Sequence, residues 1–159
     1  MGLIDLIPIE RVLDWFGRPR PEIKFKYLLS TDKENGYCHL RRNTSFDSKL
    51  SWWFRIGINN VGKRRIEECD VRVEKIEQLI NETQKTVSTT PFFLHWGNEN
   101  TDDSRSIYPN TEVFCDVVFT VNGYSKVFIH HKMKHSGAGI PSALDPGKYI
   151  FRTYAFGLK

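Results

Sequence analysis

The segment FIHHKMKH at 128–135 concentrates the side chains best suited to chemistry, with His130, His131 and His135 offering imidazoles and Met133 a thioether. Both groups are ligands for copper and zinc. Successive strand residues point to opposite faces, so only one of the two adjacent histidines can share a centre with Met133 or His135. His130, Met133 and His135 are thus the metal candidates, and the competing reading is a solvated strand end entering a loop. That second reading is preferred, and no cofactor is expected. The same segment is also basic. From 117 to 144 there is no Asp or Glu, while Lys126, Lys132 and Lys134 accompany the histidines. If Lys63, Arg64 and Arg65, or Arg41 and Arg42, fold alongside, the result is a patch able to contact phosphate or an acidic protein surface.

Other chemical signals are fainter. The acidic loop GNENTDDS at 97–104 lacks the spacing and central Gly of an EF-hand. There is no Gly-x-Ser-x-Gly, no phosphate loop, no His-Glu-x-x-His, and no Cys with an evident His and Asn partner set, so the chain is read as a non-enzyme. Asn43-Thr44-Ser45 and Asn81-Glu82-Thr83 match glycosylation acceptors, but the N-terminus lacks the basic and apolar regions of a secretory signal. No stretch approaches the length of a transmembrane helix. Cys38, Cys69 and Cys115 are widely spaced and odd in number. They read as small hydrophobes in a reducing compartment, with a Cys69–Cys115 pairing left open. The expected setting is cytoplasmic, or extracellular if the chain is a fragment of a larger protein.

These residues need a scaffold, and the composition points to sheets. Aromatic residues make up 13% of the 159 residues, and 23 basic against 19 acidic residues leave a mild charge of +4. The organising stretch is 52–77. Trp52, Phe54, Ile56 and Ile58 alternate with Trp53, Arg55, Gly57 and Asn59, and Cys69, Val71 and Val73 alternate with Asp70, Arg72 and Glu74. Asn59-Asn60-Val61-Gly62 joins the two arms, which are expected as a central hairpin. Further strands are expected at 22–29, 37–40, 91–96, 112–121, 124–131 and 148–156, with 84–90 turn-like. Ile76, Leu79 and Ile80 leave open whether the second arm runs on through a bulge or becomes a helical turn. In 112–121, Val113, Cys115, Val117, Phe119 and Val121 are expected on one face, and Asn122-Gly123 as a hairpin turn.

Residues 1–17 read as a short amphipathic helix, with Ile9, Val12, Leu13 and Phe16 at i, i+3, i+4 and i+7. Gly17 and the Arg18-Pro19-Arg20-Pro21 linker end it. Its polar face carries Glu10, Arg11 and Asp14, which nearly cancel, so docking on the domain, on a partner or on a second copy is favoured over a membrane.

About seven short strands separated by Gly, Asn and Pro turns indicate a mainly β chain, an immunoglobulin-like antiparallel β-sandwich at 22–159 following the helix and linker. INNVGKRRIEECDVRVEKIE at 58–77 resembles CARDB-type adhesion and cell-surface modules. LDPGKYIFRTYAFG at 144–157 is similar to their late-strand entry, in which Pro146-Gly147 makes the turn and Tyr149 buries its ring while its hydroxyl finds a backbone partner. The resemblance spans residues 52–157 and implies a non-catalytic binding or spacer role. The expected function is a protein-binding or assembly module, acting through Ile9, Val12, Leu13 and Phe16 on a protein partner or a second copy. Nucleic-acid or polyanion binding through 126–135 is the alternative.

Overall fold

The computed structural model describes residues 18–25, 37–97, 103–133 and 138–158. The stretch 1–17, with Ile9, Val12, Leu13 and Phe16, lies outside the described residues, as do Lys134 and His135. The described chain is mainly β. Its strands are β1 (Pro21–Lys24), β2 (Cys38–Asn43), β3 (Lys49–Asn60), β4 (Ile66–Ile80), β5 (Thr83–Ser88), β6 (Phe92–Phe93), β7 (His95–Trp96), β8 (Arg105–Ile107), β9 (Glu112–Val121), β10 (Val127–Ile129), β11 (Ala143–Leu144) and β12 (Lys148–Leu158).

They form two antiparallel sheets. The seven-stranded sheet runs β1-β3-β9-β10-β11, with β2 also on β3 and β7 on β9. The five-stranded sheet runs β12-β4-β5, with β6 and β8 also on β4. Between them lies one apolar core that takes Ile58, Cys115, Val117 and Ile129 from the first sheet and Ile66, Cys69, Val71, Val73, Ile76 and Phe92 from the second. Fully burying each such aliphatic or aromatic side chain stabilises the fold by about 1.5–3 kcal/mol. The three cysteines are free thiols. Burial, then the charge of Asp70, pushes the Cys69 thiol up to about 12, so it is an apolar filler here.

The two arms of the organising stretch are long strands, as their alternation requires, yet they do not pair with each other. β3 belongs to one sheet and β4 to the other, so 61–65 is a crossover and not a hairpin turn. Asn60 makes the corner. Its buried amide donates to the carbonyls of Arg64 (2.7 Å) and Ile107 (3.0 Å), while its Oδ1 accepts from the backbone N–H of Gly62 (2.9 Å) and of Arg20 (3.3 Å). The two arms face each other across the core and pack their apolar sides against one another.

Beyond Val73 the chain stays in a strand. Arg152 pairs with Lys75 and Thr153 with Val73, leaving Glu74 as the extra residue of a bulge that brings Ile76 back to the core. Asn81 and Glu82 adopt positive φ (47° and 65°) and turn the chain into β5, so 84–90, expected as a turn, is mostly strand. The expected strand at 91–96 is split. β6 pairs with β4 and β7 with β9, and the chain changes sheets at Leu94.

A second bulge matters most for the surface. Asp116 pairs with Arg55 and Val118 with Phe54, so Val117 is the extra residue on β9. Alternation therefore breaks there. Cys115 and Val117 face the core, whereas Phe119 and Val121, expected on that same side, join Trp53 on the outer face of the seven-stranded sheet, where Phe46 and Phe128 pack against them. At the other end of the fold, the Tyr149 hydroxyl donates to the Asp145 carbonyl at 2.8 Å, the backbone partner expected at that corner.

Candidate binding face around Asp116

Alternation with Cys115 places Asp116 on the outer face at the centre of four other strands, and the bulge at Val117 turns Phe119 to that same face. Cross-strand pairing sets Arg55 of β3 on one side of it and His95 of β7 on the other. β2 brings His39 opposite Trp53 and Arg41 opposite Ser51, and β10 delivers His130 immediately beyond Ile129. Asp116 and Arg55 are both buried.

Arg55 Nε donates to Asp116 Oδ1 at 2.7 Å, and its Nη2 stands 3.1 Å from His39 Nε2. The other carboxylate oxygen, Oδ2, lies 3.6 Å from both Arg41 Nη2 and His130 Nδ1. Burial by itself would raise the pKa of Asp116. Its contact with His130 and the charge of Arg55 outweigh that penalty and hold it below the usual carboxylate value. One ionised carboxylate thus serves two guanidinium groups and an imidazole.

Aromatic rings form the floor. The Arg41 guanidinium carbon sits 3.5 Å from the centroid of the Trp53 ring, a cation–π contact, while the arginine side chain stays 35% exposed. Trp53 stacks on Phe119 at 4.3 Å and meets His130 edge-on at 4.9 Å, and His130 stacks on His95 at 4.4 Å. The aromatic surface continues through Phe128 and Phe46 to Tyr124, whose exposed ring carries Lys49 at 4.8 Å. Gly97, just after β7, lies against Arg55: a Cβ at that position would stand 3.0 Å from the guanidinium carbon, so any larger residue requires the arginine to shift by a few tenths of an ångström.

Several expected site residues stand elsewhere. Lys132, expected as a polyanion contact, is buried. Its Nζ donates to Asp70 Oδ1 at 2.6 Å and to the Asp103 carbonyl at 2.9 Å, so it acts as a counter-charge and not as a surface cation. Lys126 is exposed and pairs with Asp145 at 2.6 Å. Lys63, Arg64 and Arg65 are exposed on the 61–65 crossover, where Arg65 pairs with Glu67. The β3–β9 register puts that crossover at the Glu112 end of β9 and Lys126 beyond the Val121 end, about 30 Å apart at the usual strand rise. The structure thus divides the expected basic patch. Of its conditional members, Arg41 does reach the histidine segment.

Met133 is strongly exposed, and among the described residues no three His, Cys, Asp or Glu side chains converge to hold a metal. His131 turns away from His130, with its ring against Phe92. Asp116, Arg55, His39, His95 and Trp53 were not singled out by their spacing. The available signal was charge, since Arg55 and Asp116 both interrupt strands whose other residues are largely apolar. The chain matches no family model, no curated protein and no solved structure.

Proposed function

We propose that the chain is a non-catalytic protein-binding module, an immunoglobulin-like sandwich whose contact surface is the outer face around Asp116. Arg41 is the anchor, and its partner is a protein surface bearing carboxylates. The observation that carries this reading is the sharing of a single carboxylate by Arg55, Arg41 and His130, while Arg41 remains a third exposed above a buried tryptophan. An arginine already held over an aromatic ring loses little freedom on binding, and Arg, Trp and Tyr are the residues that dominate interface energetics. Phe46 and Tyr124 extend the surface with apolar area beside that charge. The likeness to CARDB-type modules implies the same class of role. A nucleic-acid partner is less well supported, because Lys132 is buried against Asp70 and, among the described residues, Lys63, Arg64 and Arg65 stand at the opposite end of the sheet from Lys126.

A fluorescently labelled glutamate-rich peptide tests the proposal. The wild-type chain is expected to bind it at low ionic strength, with affinity falling as salt is added. Arg41→Glu is expected to weaken binding at least tenfold, and Lys63→Glu to leave it within twofold. Equal losses in the two variants, or no loss in Arg41→Glu, would contradict the assignment.

A further inference from the structure

Within the face around Asp116, the contact between Arg55 and His39 fixes the protonation of a histidine. A guanidinium stays charged and can only donate. With Arg55 Nη2 at 3.1 Å, His39 Nε2 must therefore accept, and the neutral ring carries its single proton on Nδ1. The same Arg55 donates through Nε to Asp116 Oδ1 at 2.7 Å, so imidazole, guanidinium and carboxylate form a chain across β2, β3 and β9. A second proton can enter His39 only at Nε2, where it would set N–H against N–H. Charging His39 and keeping its contact with Arg55 are mutually exclusive.

The position of His39 makes that choice a surface event. It is part-exposed, stands opposite Trp53 in the β2–β3 register, and lies two residues from Arg41 on the same face of β2. Residues two apart on a strand are separated by about 7 Å. The other titratable and charged groups of this face are Asp116, His95 from β7 and His130 beyond β10, with His130 stacked on His95 at 4.4 Å. Farther along, the Tyr37 hydroxyl donates to Glu112 at 2.6 Å. Despite its burial, Asp116 is held below the usual carboxylate value by its contact with His130 and the charge of Arg55, so it stays ionised in mild acid.

We infer that His39 makes the binding face responsive to pH: on protonation it releases Arg55 and adds a cation beside Arg41, and the face then holds carboxylate-bearing partners more tightly. This rests on the reading of that face as the contact surface. An ordinary imidazole titrates near about pH 6.5 and a peptide glutamate near about 4.3, so between about pH 7.5 and 5.5 the protein changes charge and the partner does not. One unit charge about 7 Å from a bound carboxylate changes affinity about threefold in water, and less as salt is added.

NMR on the full chain, with the glutamate-rich peptide as the binding probe, tests this. At about pH 7.5 the ring nitrogen shifts of His39 are expected to show a protonated Nδ1 and a bare Nε2. On acidification the Arg55 Nε–H resonance should move with the same midpoint as the His39 ring. Peptide affinity should rise over that range, and by about threefold less in His39→Gln, whose amide oxygen can accept from Arg55 but does not titrate. A bare Nδ1 at the higher pH, or a His39 titration that leaves Arg55 unmoved, would overturn the inference. Equal pH dependence in the wild type and His39→Gln would do the same and would assign the effect to His95 or His130. No peptide binding at any pH, with the coupled titration intact, would instead overturn the binding-face reading on which the inference rests.

Discussion

Two buried cations in this fold meet a carboxylate in different ways. Lys132 is matched with Asp70, and the Asp103 carbonyl takes a further hydrogen bond from the same ammonium. Arg55 is matched with Asp116, but that carboxylate is also approached by Arg41 and His130, both about one-third exposed. At Asp70 the ammonium is buried and its charge is met by one carboxylate and one carbonyl. At Asp116 two guanidinium groups approach one carboxylate, and one of them, Arg41, reaches the surface above an aromatic floor. A buried ion pair is by itself weak evidence of anything beyond folding, because desolvation offsets most of the attraction. The part-exposed arginine is what the proposed binding face has and the internal brace lacks.

Substitutions separate the two cases, and urea unfolding midpoints measure each. The largest effect is expected for Asp116→Ala, which strands Arg55 as an uncompensated buried charge and should cost about 3–5 kcal/mol. Asp116 also ties stability to pH. Its folded pKa lies below the unfolded value of about 3.9, so its contribution is present above that pH and is lost as pH falls through the folded value. Asp116→Asn should flatten that part of the acid unfolding profile, and an unchanged profile would show that the carboxylate is not stabilised as described. Lys132→Met should cost less, about 2 kcal/mol, because Asp70 is partly exposed and can take up water when the ammonium leaves. Gly97→Ala, which presses a methyl group against the Arg55 guanidinium, should cost about 1 kcal/mol. Arg41→Ala should change stability least, by under about 1 kcal/mol, as for other part-exposed ion pairs, while removing most peptide binding. An Arg41→Ala loss as large as that of Asp116→Ala would make Arg41 a structural brace and collapse the distinction.

Much of the scaffold could be read from the residues. The long strands β3, β4, β9 and β12 announce themselves by alternation, and the Asp-Pro-Gly-x-Tyr corner resolves into the Tyr149–Asp145 hydrogen bond. What could not be read is where that alternation stops. The bulges at Glu74 and Val117 each insert one residue without a compositional mark, and the second sends Phe119 and Val121 to the opposite face. The crossover at 61–65 looks like a hairpin because a turn's chemistry does not say which sheet receives the next strand. Asp116, Arg55, His39 and His95 come from four strands and His130 from just past a fifth, so only tertiary pairing unites them. Lys132 reads as a surface cation because nothing near it in the chain shows that Asp70, sixty-two residues away, will face it.

The most direct test of the binding face is a backbone amide shift map of the wild-type chain titrated with the glutamate-rich peptide. The predicted result is saturable shifts at 39–41, 53–55 and 128–131, the strand segments that surround Trp53 and Asp116, with 61–65 unmoved. Shifts confined to Lys63, Arg64 and Arg65, or no shifts at saturating peptide, would contradict it.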